Sequence, residues 1–114
     1  MQLDIQEKQG VTILTIVGRI VMGADAQLRE AIDTLLASGR SNVLIDFSQV
    51  TFLDSAGIGE LVASHRTIKR FGGALKILNP SQKVQDSLTL TKLLPIFEIY
   101  DDAQTAIDSY AAGS

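Results

Sequence analysis

The chain has 114 residues, enough for one core, and its 46% hydrophobic and 20% charged content without low-complexity tracts predicts one globular domain over residues 1–114. It has no cysteine, which excludes disulfides, thiolate zinc sites and cysteine nucleophiles and fits a reducing, cytoplasmic setting; a net charge of -3 argues against a direct nucleic-acid partner. Met1-Gln2-Leu3-Asp4 opens without a basic segment and apolar run, and no stretch approaches the roughly 20 apolar residues of a membrane helix, so neither a leader nor membrane insertion is expected.

Leu3 and Ile5 alternate with Gln2, Asp4 and Gln6, the pattern of a half-exposed edge strand. After a turn at Gln9-Gly10, the β-branched run Val11 to Val17 reads as a strand covered on both faces and closed by Gly18, so the pair forms a hairpin. From Gly23 the period changes. Leu28, Ala31, Ile32, Leu35 and Leu36 form one helical stripe, with Asp25 as the expected N-cap and Gly39 as the left-handed residue at its end.

Asn42 to Phe47 reads as a buried parallel strand, and Ser48 to Leu53 as a lead into a second helix carrying Ile58, Leu61, Val62, His65 and Ile68 and stopped by Gly72-Gly73. Ala74 to Leu78 is a further strand. Ser81 caps a third helix with Val84 and Leu88, Ile96 to Tyr100 is a last strand, and Asp101-Asp102 introduces a final helix with Ala103, Ala106, Ile107 and Tyr110 on one face. Strands alternating with helices after an opening hairpin predict an α/β fold: a mixed, largely parallel sheet with helices packed against it.

The informative segment is Thr51 to Glu60, where small and polar residues interrupt two apolar patterns. Ser55 is placed at a helix start, where its hydroxyl can cap free N–H groups and the dipole favours an added anion. Gly57 and Gly59 take side chains away from the first turn, so another chain could approach the backbone closely. On residue chemistry alone the simpler account is that Asp54 and Ser55 are caps and the glycines ease packing.

Asp54-Ser55-Ala56-Gly57-Ile58-Gly59 resembles the Asp-Ser-(Ser/Thr/Ala)-Gly-(Leu/Ile)-Gly signature of STAS-domain anti-sigma-factor antagonists. The strand ending in Gly18, the Leu28 to Leu36 helix, Gly72-Gly73 before the next strand and Phe97 near the end extend the resemblance over the whole chain. It implies that Ser55 is phosphorylated by a partner anti-sigma factor acting as a serine kinase. It further implies that a serine phosphatase reverses this, and that the unphosphorylated form sequesters the anti-sigma factor. Asp54, Ser55, Ala56, Gly57, Ile58 and Gly59 are the implied partner-binding residues. Members often carry Gly-x-Leu-Asp after the second strand, whereas this chain reads Gly18-Arg19-Ile20-Val21, so the class of kinase is not carried over.

A non-enzymatic role is expected, with no cofactor and no metal: one histidine and scattered carboxylates give no triad or ligand set, and no Walker-type loop occurs. His65, on the apolar stripe, reads as a packed residue. Arg66, Lys69 and Arg70 read as one solvated helix face. The alternatives are a STAS scaffold without a switch or a transporter-associated subunit, in which Ser55 is only a cap and contact residue. A sensor of a nucleotide or lipid is a further rival that the acidic balance does not favour.

Overall fold

The computed structural model describes residues 1–112. Gln9 and Gly10 both adopt positive φ, 55° and 80°, the combination of a type I′ turn, whose twist suits a two-residue hairpin. That turn pairs β1 (Gln2–Lys8) with β2 (Val11–Ile20) in antiparallel register, Lys8 opposite Val11 and Gln2 opposite Val17. β3 (Asn42–Leu53), β4 (Ala74–Leu78) and β5 (Ile99–Tyr100) then add in parallel, in spatial order β1-β2-β3-β4-β5, so the expected edge position of the first strand holds.

Helices α1 (Asp25–Ala37), α2 (Ser55–Arg70) and α3 (Gln82–Leu90) lay their apolar stripes on one face of the sheet. Leu28, Ile32, Leu35, Leu61, Ile68, Val84 and Leu88 join Leu14, Ile16, Val43, Ile45 and Phe47 in the main core. Helix α4 (Ala103–Ala112) covers the other face with Ala106, Ile107 and Tyr110 against Val11, Leu44 and Leu78. β3 is therefore enclosed on both sides at Val43, Leu44 and Ile45, which is why its sequence runs apolar without alternating. β2 is not: Leu14 and Ile16 are buried, while Ile13, Thr15 and Val17 on the α4 side stay half-buried, since α4 packs on β3, β4 and β5.

Several element ends differ from those read locally. β2 runs through Gly18 to Ile20, and β3 continues from Phe47 to Leu53, because each supplies the ladder for the other: after a register shift between Thr15 and Val17, Val17 to Ile20 pair with Gln49 to Leu53 across a second shift between Gly18 and Arg19. Asp25 is the first residue of α1 and not its cap. Ala24 holds the N-cap position without a side-chain bond, because the Val21–Ala24 turn already has Ala24 in helical backbone and feeds straight into the helix. Pro95 opens a 3-10 turn over Leu94–Ile96, leaving only Ile99 and Tyr100 to pair with β4. Ser81 caps α3 as expected, accepting from the Val84 N–H at 3.2 Å. Asp102 accepts from the Thr105 N–H at 2.9 Å at the start of α4.

Candidate functional site

The segment that carries the signature lies where β3 passes into α2, beside the end of β2. Asp54 leaves β3 in extended backbone and is the N-cap of α2; the expectation that the Ser55 hydroxyl fills that role is corrected. Asp54 Oδ1 accepts from the Gly57 N–H and Oδ2 from the Met22 N–H, each at 2.9 Å, so one carboxylate ties the helix start to the loop after β2. The Gly57 bond, then that from Met22, holds the Asp54 carboxyl below the usual carboxylate range; Arg19 adds a weaker pull in the same direction.

With the cap supplied by its neighbour, Ser55 is left as the first residue of α2, exposed, and its hydroxyl has no hydrogen-bond partner among the described residues. Ala56 is half-buried and Gly59 is exposed. Gly57 and Ile58 turn inward. A Cβ on Gly57 would sit 2.1 Å from the Ile20 carbonyl oxygen, so this glycine exists for the close approach of α2 to β2 and not, as expected, to admit another chain. A Cβ on Gly59 would meet nothing within 4 Å; the access argued for both glycines applies to Gly59 alone.

Four residues that local reading left unassigned complete the surface. Phe52, half-buried three residues before Ser55, carries Arg19 from the end of β2 at 5.3 Å from its ring centroid and Lys83 from the start of α3 at 5.2 Å. Arg19 was visible as part of the departure Gly18-Arg19-Ile20-Val21; nothing local links Lys83 to it. Met22, 81% exposed, extends from the loop that Asp54 fixes. Beneath them Glu60, with its side chain 3% exposed, accepts from Arg29 of α1 at 2.6 Å and holds α1 and α2 together.

His65 packs as expected, edge-on to Phe97 with ring centroids 5.3 Å apart. Burial, with Lys69 nearby, pushes its pKa down. Among the described residues no cluster of three His, Asp or Glu side chains is placed to hold a metal ion, and no helix is long and apolar enough to cross a membrane.

The family model of the STAS domain matches residues 2–106. The chain belongs to the STAS domain family. This STAS domain is 27% identical over 99 residues to the anti-sigma-B factor antagonist of Bacillus subtilis, across 87% of this chain and 90% of that protein. In fold it is similar to an anti-sigma factor antagonist from Mycobacterium paratuberculosis, with a TM-score of 0.84, 24% identity, and 96% and 93% of the two chains covered. The antagonist SpoIIAA superimposes in its unphosphorylated form with a TM-score of 0.73, 20% identity, and 99% and 100% coverage. Its phosphorylated form gives 0.72, 22% identity, and 95% and 98%. The recognition read from Asp54 to Gly59 and the predicted α/β fold are thus both met.

Proposed function

We propose that this STAS domain is an anti-sigma-factor antagonist whose hold on its anti-sigma factor is switched by phosphorylation of Ser55. The observation that carries the reading is the exposed, unbonded Ser55 hydroxyl at the start of α2, fixed by a neighbouring cap that leaves it free. Support comes also from the relatives: the Bacillus subtilis protein antagonises an anti-sigma factor, and SpoIIAA exists in phosphorylated and unphosphorylated forms. The protein itself carries out no chemistry in this scheme and works in the cytoplasm, where kinase, phosphatase and ATP meet.

The partner kinase transfers the γ-phosphoryl group of ATP to Ser55 Oγ, the hydroxyl proton leaves, and ADP is released; a serine phosphatase hydrolyses the ester back to serine and inorganic phosphate. At a helix N-terminus the added charge of about -1.5 to -2 is tolerated by the dipole and by free N–H groups, so the fold survives. Asp54 opposes it at close range, while Arg19 and Lys83, brought onto Phe52 from two other elements, offset part of the repulsion. These charges are screened while the surface faces water and count in full when a partner covers it. The phosphate therefore acts on the complex: reversing occupancy from about 1:99 to 99:1 takes roughly 5.5 kcal/mol of differential affinity, within reach of a buried dianion but not of a rim charge.

Incubation with the cognate kinase and ATP followed by intact-mass analysis should show one added phosphate on the wild type and none on Ser55→Ala. Calorimetric titration should show the unmodified form binding the anti-sigma factor and the phosphorylated form failing to, with unchanged melting curves. Undiminished phosphate incorporation into Ser55→Ala, or equal affinity of the two forms, would overturn the reading.

A further inference from the structure

Arg19 and Lys83 come from different elements, the end of β2 and the start of α3, and bring their charges to 5.3 and 5.2 Å from the centroid of one ring, that of Phe52. A cation over an aromatic ring is a favourable contact, which accounts for one of them; a second cation at the same ring adds repulsion. Neither has a carboxylate within salt-bridge reach among the described residues, whereas Arg29, Arg40 and Lys76 each do. Two positive charges are thus gathered without compensation, on a domain whose net charge is -3.

Ser55 lies three residues beyond Phe52, at most about 10 Å of extended chain. The backbone holds Arg19 to the same place: Arg19 pairs with Phe52 in the β2–β3 ladder, and the carbonyl of the next residue, Ile20, accepts from the Asp54 N–H at 3.3 Å. The Arg19 charge already acts on Asp54, the neighbour of Ser55. It is the weakest of the pulls on that carboxyl, whose two oxygens accept from the Gly57 and Met22 N–H groups, so Asp54 does not neutralise Arg19. The group left open at this point of the surface is the exposed Ser55 hydroxyl.

We infer that Arg19 and Lys83 form a receptor in cis for the phosphate carried by Ser55, pairing with its oxygens beside the Phe52 ring. The inference rests on the reading of Ser55 as the modified residue and adds what happens to the phosphate once it is there. Arg19 supplies the forked donors that phosphate oxygens accept, and Lys83 a second point charge. Both cations come from outside α2, so the captured phosphate ties the end of β2 and the start of α3 to the start of α2. Phosphorylation then changes the surface twice over. A dianion appears, and the two cations are no longer open to an acidic group of a partner.

Phosphoserine placed at position 55 during translation gives the modified full chain without any kinase, and 31P NMR follows its second ionisation, ordinarily near pH 6. The helix start and Asp54 act on that phosphate in every variant, so comparing variants isolates the two cations. With Arg19 and Lys83 present the midpoint is expected at least about 0.5 pH lower than in Arg19→Gln, Lys83→Gln, about a threefold change in proton affinity. The exchange Arg19→Lys, Lys83→Arg keeps both charges and should keep most of this difference. Arg66→Gln with Arg70→Gln, late in α2, should leave the midpoint where it is in the wild type. A midpoint that is the same with and without Arg19 and Lys83, that the Arg66/Arg70 pair moves as far, or that the charge-keeping exchange raises as far as the Gln pair, would overturn the receptor. Such a result leaves the switch at Ser55 standing, whereas phosphate incorporated by the kinase into Ser55→Ala overturns the switch and leaves the capture measured here intact.

Discussion

One methyl group added at Gly57 and one at Gly59, two residues apart in α2, should change stability in opposite directions. At Gly59 the new Cβ enters open space, so Gly59→Ala gains helix propensity, up to about 1 kcal/mol. Gly57→Ala has the same gain available but places its Cβ 2.1 Å from the Ile20 carbonyl oxygen and 3.1 Å from Ile20 Cγ2. Relief requires a shift of about 1 Å to restore ordinary contact distances. Ile20 cannot yield easily: it is fully buried, it pairs with Leu53, and the same carbonyl accepts from the Asp54 N–H at 3.3 Å. A cost near the upper end of overpacking, about 3 kcal/mol, less about 1 kcal/mol of propensity, leaves a net loss of about 2 kcal/mol. Thermal melts convert this at about 4 °C per kcal/mol for a chain of this length, so Gly57→Ala should melt about 8 °C lower and Gly59→Ala up to about 4 °C higher. Urea titrations of the two variants and the wild type give the same comparison at constant temperature. A Gly57→Ala protein as stable as the wild type would refute the argument that this glycine serves the contact between α2 and β2.

The Arg29–Glu60 pair should respond asymmetrically: Arg29→Met leaves Glu60 buried and charged and costs about 3 kcal/mol, whereas Glu60→Gln costs about 1 kcal/mol, because the Arg29 side chain is already 61% exposed. Chemical denaturation of both variants checks the order. Asp54 has a lowered pKa, so its contribution to stability is present above the ordinary carboxylate value of about 3.9 and is lost as pH falls through its folded value. Asp54→Asn keeps one acceptor but sets an amide NH2 against the Met22 N–H, so it should be less stable at neutral pH, with the gap closing in acid; melts from pH 7 to 2 test this. Burial raises the pKa of Tyr110, whose hydroxyl donates to the Val43 carbonyl at 2.6 Å, so the stability it confers is present below the ordinary value of about 10 and declines above it. Tyr110→Phe should lose about 1 kcal/mol at neutral pH and show a weaker alkaline decline, read from melts at pH 7 to 11.

The elements were legible in the sequence because their signals are local. The stripe of Leu28, Ile32 and Leu35 makes α1 whatever it packs on, Ser81 caps α3 through a bond to a residue three positions on, and Gln9-Gly10 makes a hairpin by its own backbone. The Asp54 to Gly59 signature was legible for the same reason, being six consecutive residues.

What only the tertiary structure decided depends on partners distant in the chain. β2 and β3 end where they do because each completes the other's ladder, which neither run of residues contains by itself. Which of Asp54 and Ser55 caps α2 was settled by Met22, 32 residues away, whose N–H engages the second carboxylate oxygen and holds Asp54 in the cap position. Lys76 falls inside an apolar strand and is buried there because α4 closes over it, giving its ammonium Ser109 at 2.8 Å and the Tyr110 ring at 4.5 Å. Gly57 and Gly59 are the same residue type in one helical turn, yet one faces the Ile20 backbone and the other faces solvent. Sequence periodicity gives the direction in which each glycine points; only the packed neighbour determines what a side chain would meet there.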